Sequence, residues 1–201
     1  MNLLFLASFI LFLIWFTIRM HVQKKKEKNF NADFWERESQ ANTVRRKSLD
    51  NLNYITIPLS DLPIDRSASE EIHDCIRTIQ ELSEKKIVNL NGISNTDLKL
   101  TYGAPNLTLL SEYDENFTLL ISTLQKWATL LYDAGQTSDA QAVLEFAVSA
   151  GSDISGSYKL LASIYREHRE EDKLRDLIRM ASALSSPMKD IIVRILQESC
   201  P

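Results

Sequence analysis

Two hydrophobic patterns divide the chain. From Met1 to Ile18 there is no charged residue, and Leu3–Phe16 (LLFLASFILFLIWF) is apolar apart from Ser8. With Thr17, Ile18, Met20 and Val22 the run reaches about 20 residues, the length at which a helix crosses roughly 30 Å of hydrocarbon. From Phe117 onward the pattern changes to a period of three to four. Phe117, Leu120, Ile121, Leu124, Trp127, Ala128 and Leu131 form one stripe, ended by Gly135. Ala140, Val143, Leu144, Ala147 and Val148 form the next, ended by Gly151. Tyr158, Leu161, Ala162 and Tyr165 follow, then Leu174, Leu177, Ile178, Ala181 and Leu184, and Met188, Ile191, Ile192, Ile195 and Leu196 close the chain. Such spacing with short connections predicts stacked antiparallel helices.

The N-terminal run reads as a single transmembrane helix over residues 1–22. Arg19 stands where a long side chain reaches the headgroups, and Trp15 and Phe16 suit the same boundary. Lys24, Lys25, Lys26 and Lys28 follow, interrupted by Glu27. Basic residues collect on cytoplasmic flanks, so the expected location is the cell membrane, with the N-terminus outside and the C-terminal domain cytoplasmic. A cleaved signal peptide fits less well, because no positive charge precedes the apolar core and no A-x-A pattern follows it.

Residues 23–68 are expected to hold this basic juxtamembrane flank, a short helix and an extended connector. Asp33 and Glu36 have capping-box spacing ahead of a helix over 34–47. Phe34 and Trp35 beside a basic stretch suit either a membrane surface or docking into the domain. Pro58 and Pro63 make 49–69 a strap, not a sheet strand. The helical domain is assigned to 69–201. Ser67 and Glu70 repeat the capping-box spacing before a helix of about residues 69–88. The stretch 89–106 is expected to be irregular, with Gly92 stopping that helix and Thr96 capping a short turn that runs to Tyr102 before Gly103. Its Asn95, Asp97, Lys99 and Tyr102 are suited either to binding or to self-satisfied turn chemistry. Glu112, Asp114 and Glu115 fall in the first turn of a helix centred beyond Phe117, where the macrodipole favours acid.

A shift of 34 residues superimposes the stripes: Leu124 meets Tyr158, Trp127 meets Leu161, Ala128 meets Ala162, Leu131 meets Tyr165, Leu144 meets Ile178 and Ala147 meets Ala181. Two helices in a period of 34 resembles the tetratricopeptide repeat. The large–small pairs Trp127-Ala128 and Leu161-Ala162, Gly135 at the turn, and Ala140, Leu144 and Ala147 carry the likeness. Arg169 replaces the turn glycine, Leu174 replaces the second-helix alanine, and Ser152 and Ser186 stand where proline is usual. The resemblance implies two units, 121–154 and 155–188, with a C-terminal capping helix. The expected fold class is therefore all-α: stacked helical hairpins behind a single N-terminal transmembrane helix. It further implies a protein partner bound along the face of the first helices. Mapped onto this sequence, that face is Ser122, Gln125, Thr129, Tyr132, Lys159, Ser163 and Arg166.

Composition narrows the chemistry. The sequence has 201 residues with 5 Gly and 5 Pro, and no GxSxG, HExxH, Walker or dinucleotide pattern. Cys75 and Cys200 with three scattered histidines argue against a disulfide scaffold or zinc site. Residues 1–50 carry 9 Lys+Arg against 5 Asp+Glu, whereas 51–201 carry 14 against 22. The basic part is local, which argues against nucleic acid. NLT (106–108) and NFT (116–118) match glycosylation sequons that a cytosolic domain would not use. No enzymatic activity, cofactor, metal or small-molecule substrate is expected. Two roles remain open: a membrane-anchored adaptor on the cytoplasmic face, or a constitutive subunit of a larger membrane complex with no free groove.

Overall fold

The computed structural model describes residues 2–65 and 69–198, with side chains described at all of these except 2–7 and 24–31. Among the described residues there are eight α-helices: α1 (Asn2–Thr43), α2 (Glu70–Ser83), α3 (Asn95–Tyr102), α4 (Leu107–Asp133), α5 (Thr137–Ser149), α6 (Ser155–Glu167), α7 (Glu171–Ser182) and α8 (Lys189–Glu198). Short 3-10 turns occupy Leu59–Asp61 and Ala104–Asn106. No strand occurs among the described residues, and one isolated antiparallel bridge joins Tyr54 to Val88. The fold is all-α. It divides into two compact units, the first made of Met1–Lys47 with Ser94–Asn106, the second of Ser48–Ile93 with Leu107–Pro201.

In the first unit, α1 is one helix of 42 residues, about 63 Å long at 1.5 Å per residue. The separate helix expected over 34–47 does not occur. Residues 2–43 contain neither Gly nor Pro, so nothing ends the helix before Asp33 and its capping-box spacing has no terminus to cap. Among the described residues no helix is long and apolar enough to cross a membrane. The run Leu3–Phe16 begins at side chains outside the description, as do Lys24, Lys25, Lys26 and Lys28.

Beyond the apolar run, α1 is braced by α3. Arg37 bonds Asp97 at 2.5 Å, Lys99 pairs with Glu38 and bonds Asn42 at 2.9 Å, and Thr96 donates to Glu38 at 2.7 Å. The stretch 89–106 is thus not the long irregular segment expected, since α3 occupies 95–102. Its cap is Ser94, which accepts from the Asp97 N–H, in place of Thr96. Asp97 and Lys99 are spent on α1. The hydrogen bonds from Lys99 and then Thr96 hold the Glu38 carboxyl below its ordinary value. Asn106 is buried with its side chain fully used, donating to the Lys47 and Tyr102 carbonyls at 2.8 Å and accepting from Arg46 at 2.8 Å. That leaves the first sequon no free amide.

The second unit is an ordered stack. α2 packs on α4, and α5 through α8 each pack on their predecessor. α6 also touches α4 and α8. The buried set includes Phe117, Leu124, Trp127, Leu144, Tyr158, Leu161, Leu177, Ile192 and Leu196. α4 starts ten residues before Phe117 because Leu110 and Tyr113 extend the same buried stripe toward the N-terminus. Asp114 is therefore interior to the helix, where it accepts from the Leu90 N–H at 3.1 Å. α2 is capped by Ser69 and ends at Ser83; Ser67, which the capping-box spacing had pointed to, lies outside the described residues. Ile87 is buried but extended, its carbonyl accepting from the Ile55 N–H at 2.9 Å. Ile57 and Leu62 of the strap reach the core.

Backbone geometry recurs at the 34-residue shift. Gln136 N–H donates to Leu131 O at 2.9 Å and Glu170 N–H to Tyr165 O at 2.8 Å. Gly135 (φ 76°) and Arg169 (φ 59°) both adopt the left-handed conformation. Ser152 and Ser186 accept from the N–H two residues ahead, at 3.3 and 3.2 Å. A left-handed non-glycine residue costs about 1–2 kcal/mol. Arg169→Gly is accordingly expected to stabilise this unit by about 1 kcal/mol, read as a rise in its melting temperature.

Candidate functional site

The first helices of the two hairpins, α4 and α6, lie side by side and are cross-linked at both ends. Ser157 donates to Gln125 at 2.5 Å, and Gln125 donates to Thr129 at 3.2 Å. A methyl group on Gly156 would come within 3.1 Å of the Gln125 amide, so an alanine there would push that side chain by a few tenths of an ångström. At the far end, the Tyr132 hydroxyl donates to the Glu167 carboxylate at 2.9 Å. Those two links span 32 and 35 residues, so the face joins equivalent helices of successive hairpins.

Of the residues assigned to this face from sequence, Gln125, Thr129, Tyr132 and Ser163 are half-buried, and Lys159 and Arg166 are exposed. Gln125 and Thr129 meet directly, and Ser163 reaches Tyr132. Lys159, Ser163 and Arg166 share one side of α6 through their i, i+4, i+7 spacing. The hydrogen bond to Glu167, more than its charge, raises the Tyr132 phenol above its ordinary value. Tyr132 thus meets a carboxylate. Ser157 and Glu167 escaped the sequence reading. Their 32- and 35-residue offsets from Gln125 and Tyr132 bracket the period and carry the only signal that marks them.

Arg166 also lines a cavity of about 580 Å³ at the α6–α7 turn, where Arg169, Arg175, Glu170 and Glu171 surround Tyr165 and Leu174. Behind it, Glu145 of α5 accepts from Gln141, Tyr165 and Lys173 at 2.9, 3.0 and 3.2 Å. Burial pushes its carboxyl up, but these three donors outweigh it and hold the group below its ordinary value. Beneath the face, Tyr158 donates to the Ser152 carbonyl at 2.8 Å. Burial, then the charge of Asp153, pushes its phenol up to about 12. An unfolded tyrosine titrates near 10. Its contribution to stability is full below pH 10 and is lost as pH rises through 12. The melting temperature of Tyr158→Phe should therefore fall less steeply than wild type over that window in parallel thermal scans.

Among the described residues no three His, Cys, Asp or Glu side chains come together as metal ligands. Cys75 is buried on α2, and burial raises its thiol. No protein-family model, curated protein or solved structure matches the chain. The site therefore stands on its own geometry. That geometry is a polar, cross-linked helix face with two exposed cations, Lys159 and Arg166.

Proposed function

We propose that the protein is a membrane-anchored adaptor that holds a protein partner on the α4–α6 face of a small tetratricopeptide-like stack. The observation that carries this reading is the recurrence at 34 residues of the turn hydrogen bonds, the left-handed turn residue and the serine caps. Repeat stacks of this kind present continuous first-helix faces to extended ligands. Lys159 and Arg166 supply two exposed cations within a region of net charge −8 (14 basic against 22 acidic residues over 51–201). Local positive charge in an acidic surround favours an acidic or C-terminal peptide segment. No catalytic step is assigned.

The anchor rests on α1. Phe9 through Phe16 are all between 43% and 67% exposed, around every face of the helix, and only lipid or other apolar helices cover such a surface stably. Phe34 and Trp35, edge to face at 5.4 Å, are exposed as well. Trp35 follows Val22 by 13 residues, about 20 Å along a helix. On a helix perpendicular to the bilayer this pair stands beyond the headgroup layer, free for a protein contact.

A reporter fused after Pro201 is expected to be active only in a form that works in the cytosol, and activity of an export-dependent reporter would overturn the location. Lys159→Ala/Arg166→Ala should leave the melting temperature nearly unchanged, since both side chains are exposed. The double variant should weaken partner capture from detergent-solubilised membranes roughly ten-fold, equal to about 1.4 kcal/mol. Undiminished capture would remove the α4–α6 face from consideration. A stoichiometric, salt-resistant complex would favour the constitutive subunit.

A further inference from the structure

Arg169 occupies a turn position at which its own residue type is a disadvantage. At the equivalent position of the preceding hairpin stands Gly135, and both adopt the left-handed conformation, at φ 59° and 76°. Glycine takes that conformation freely, whereas a residue with a Cβ is penalised in it. Backbone strain of this kind persists where surrounding structure enforces it, and it gathers at sites that are used. The arginine therefore needs a reason to be there that stability does not supply.

Its side chain lines the cavity at the α6–α7 turn, where the neighbouring acids already have partners. Glu170 pairs with Lys173 at 3.2 Å, and Asp172 pairs with Arg175, whose charge Glu171 also supports. Among the described residues the exposed Arg169 guanidinium makes no ion pair or side-chain hydrogen bond. The apolar part of the lining is Leu174 and Tyr165, both buried. The Tyr165 hydroxyl is spent on Glu145 at 3.0 Å, outside the lining, so Tyr165 adds its ring to the cavity. An uncommitted guanidinium thus stands over an apolar floor, in a space of the size that small-ligand sites have.

We propose that this cavity receives an acidic residue of the partner protein together with the apolar residue beside it, the carboxylate on Arg169 and the apolar side chain on Tyr165 and Leu174. A planar guanidinium holds a carboxylate through two parallel N–H···O bonds, a geometry that a neutral amide does not reproduce. Three guanidiniums against two carboxylates in the lining give the cavity an excess of positive charge, which disfavours a basic residue in the same place. This contact rests on the reading above, that the chain holds a protein partner, and carries it from the α4–α6 face to the next turn.

The test uses the full-length ¹⁵N-labelled chain in detergent micelles, titrated with acetyl-Asp-Leu-Leu-amide and with its Asn-Leu-Leu and Asp-Gly-Gly counterparts. Saturable shifts of the Glu170, Leu174 and Arg175 amide signals are expected for the first peptide. Binding should be roughly ten-fold weaker without the charge and several-fold weaker without the leucines. Arg169→Gly gives the decisive readout, because its two effects have opposite signs: the melting temperature should rise while affinity for the first peptide falls roughly ten-fold. Arg169→Asn, also tolerant of the left-handed conformation, should bind as weakly, which assigns the loss to the guanidinium and not to a loosened turn. Equal responses to the Asp and Asn peptides, no saturable shift, or full affinity in Arg169→Gly would overturn the assignment. The peptides probe the cavity with no partner present, so a failed titration beside intact partner capture from membranes would remove this contact and leave the adaptor standing.

Discussion

Ala147→Glu is expected to unfold the second unit. Ala147 has no exposed surface, and Leu144 and Val148 beside it are buried on the same face of α5. Helices approach this closely only where a side chain is small. A glutamate there must either bury an unpaired carboxylate, at several kcal/mol, or force the hairpins apart. Domains of this size have a total stability of about 5–15 kcal/mol, so one such change removes much of it. Circular dichroism of the full chain in micelles should show the helical signal of α2 and α4–α8 melting at least 15 °C lower, with Ala147→Ser as a mild control. A wild-type melt would mean that the 34-residue register is wrong.

Gly103→Ala should do comparable damage in the first unit and leave the second alone. Gly103 has φ 93°, and a Cβ there would lie 2.2 Å from the Arg45 carbonyl and 2.9 Å from Arg46 Cα. Both neighbours are backbone, so no side chain can swing aside. The backbone strain alone is about 1–3 kcal/mol, and the overlap adds to it. Hydrogen exchange over 95–102 is expected to accelerate at least 100-fold, while amides of α4–α6 keep their protection. Gly135→Ala is the contrast. Its φ is 76°, but nothing lies within 4 Å of the added methyl, so only the cost of the left-handed conformation remains, about 1–2 kcal/mol. Unchanged exchange in Gly103→Ala would mean that the chain crossing at Arg45 is not as described.

Helix periodicity was legible wherever a stripe is buried on one side. From Leu120 to Leu196 most of the apolar positions read from the sequence are buried, because each hairpin buries its stripe against its neighbour, but Ile191 is exposed and Ile164, outside the stripe as read, is fully buried. Terminus signals misled where a helix had no reason to stop. Asp33-x-x-Glu36 matches a cap, but with no Gly or Pro upstream the helix runs through it. Ahead of Glu70, Ser69 takes the cap by accepting from the Ile72 N–H, one turn-closing contact that residue spacing alone does not single out. The candidate face was legible in its spacing, but not in its partners. Glu167 meets Tyr132 across two helices, a contact between positions that local pattern cannot pair. The α1–α3 ion pairs escaped for the same reason, their members being about 60 residues apart.

The loop after α2 has one more effect, on how the second unit comes apart. In a linear array each hairpin holds only its neighbours, and unfolding frays inward from the last helix. Here Asn89 and Asn91 grip the turn before α6, while Gly92 sits against the Ser185 carbonyl before α8. The segment nearest the start of the array thereby clasps two later joints that lie 34 residues apart. Fraying of α8 then breaks contacts with an early element as well as with its predecessor, which penalises partly open forms. The array gains the cooperativity of a closed fold, and its last helix should exchange its amide hydrogens at nearly the rate of the middle ones.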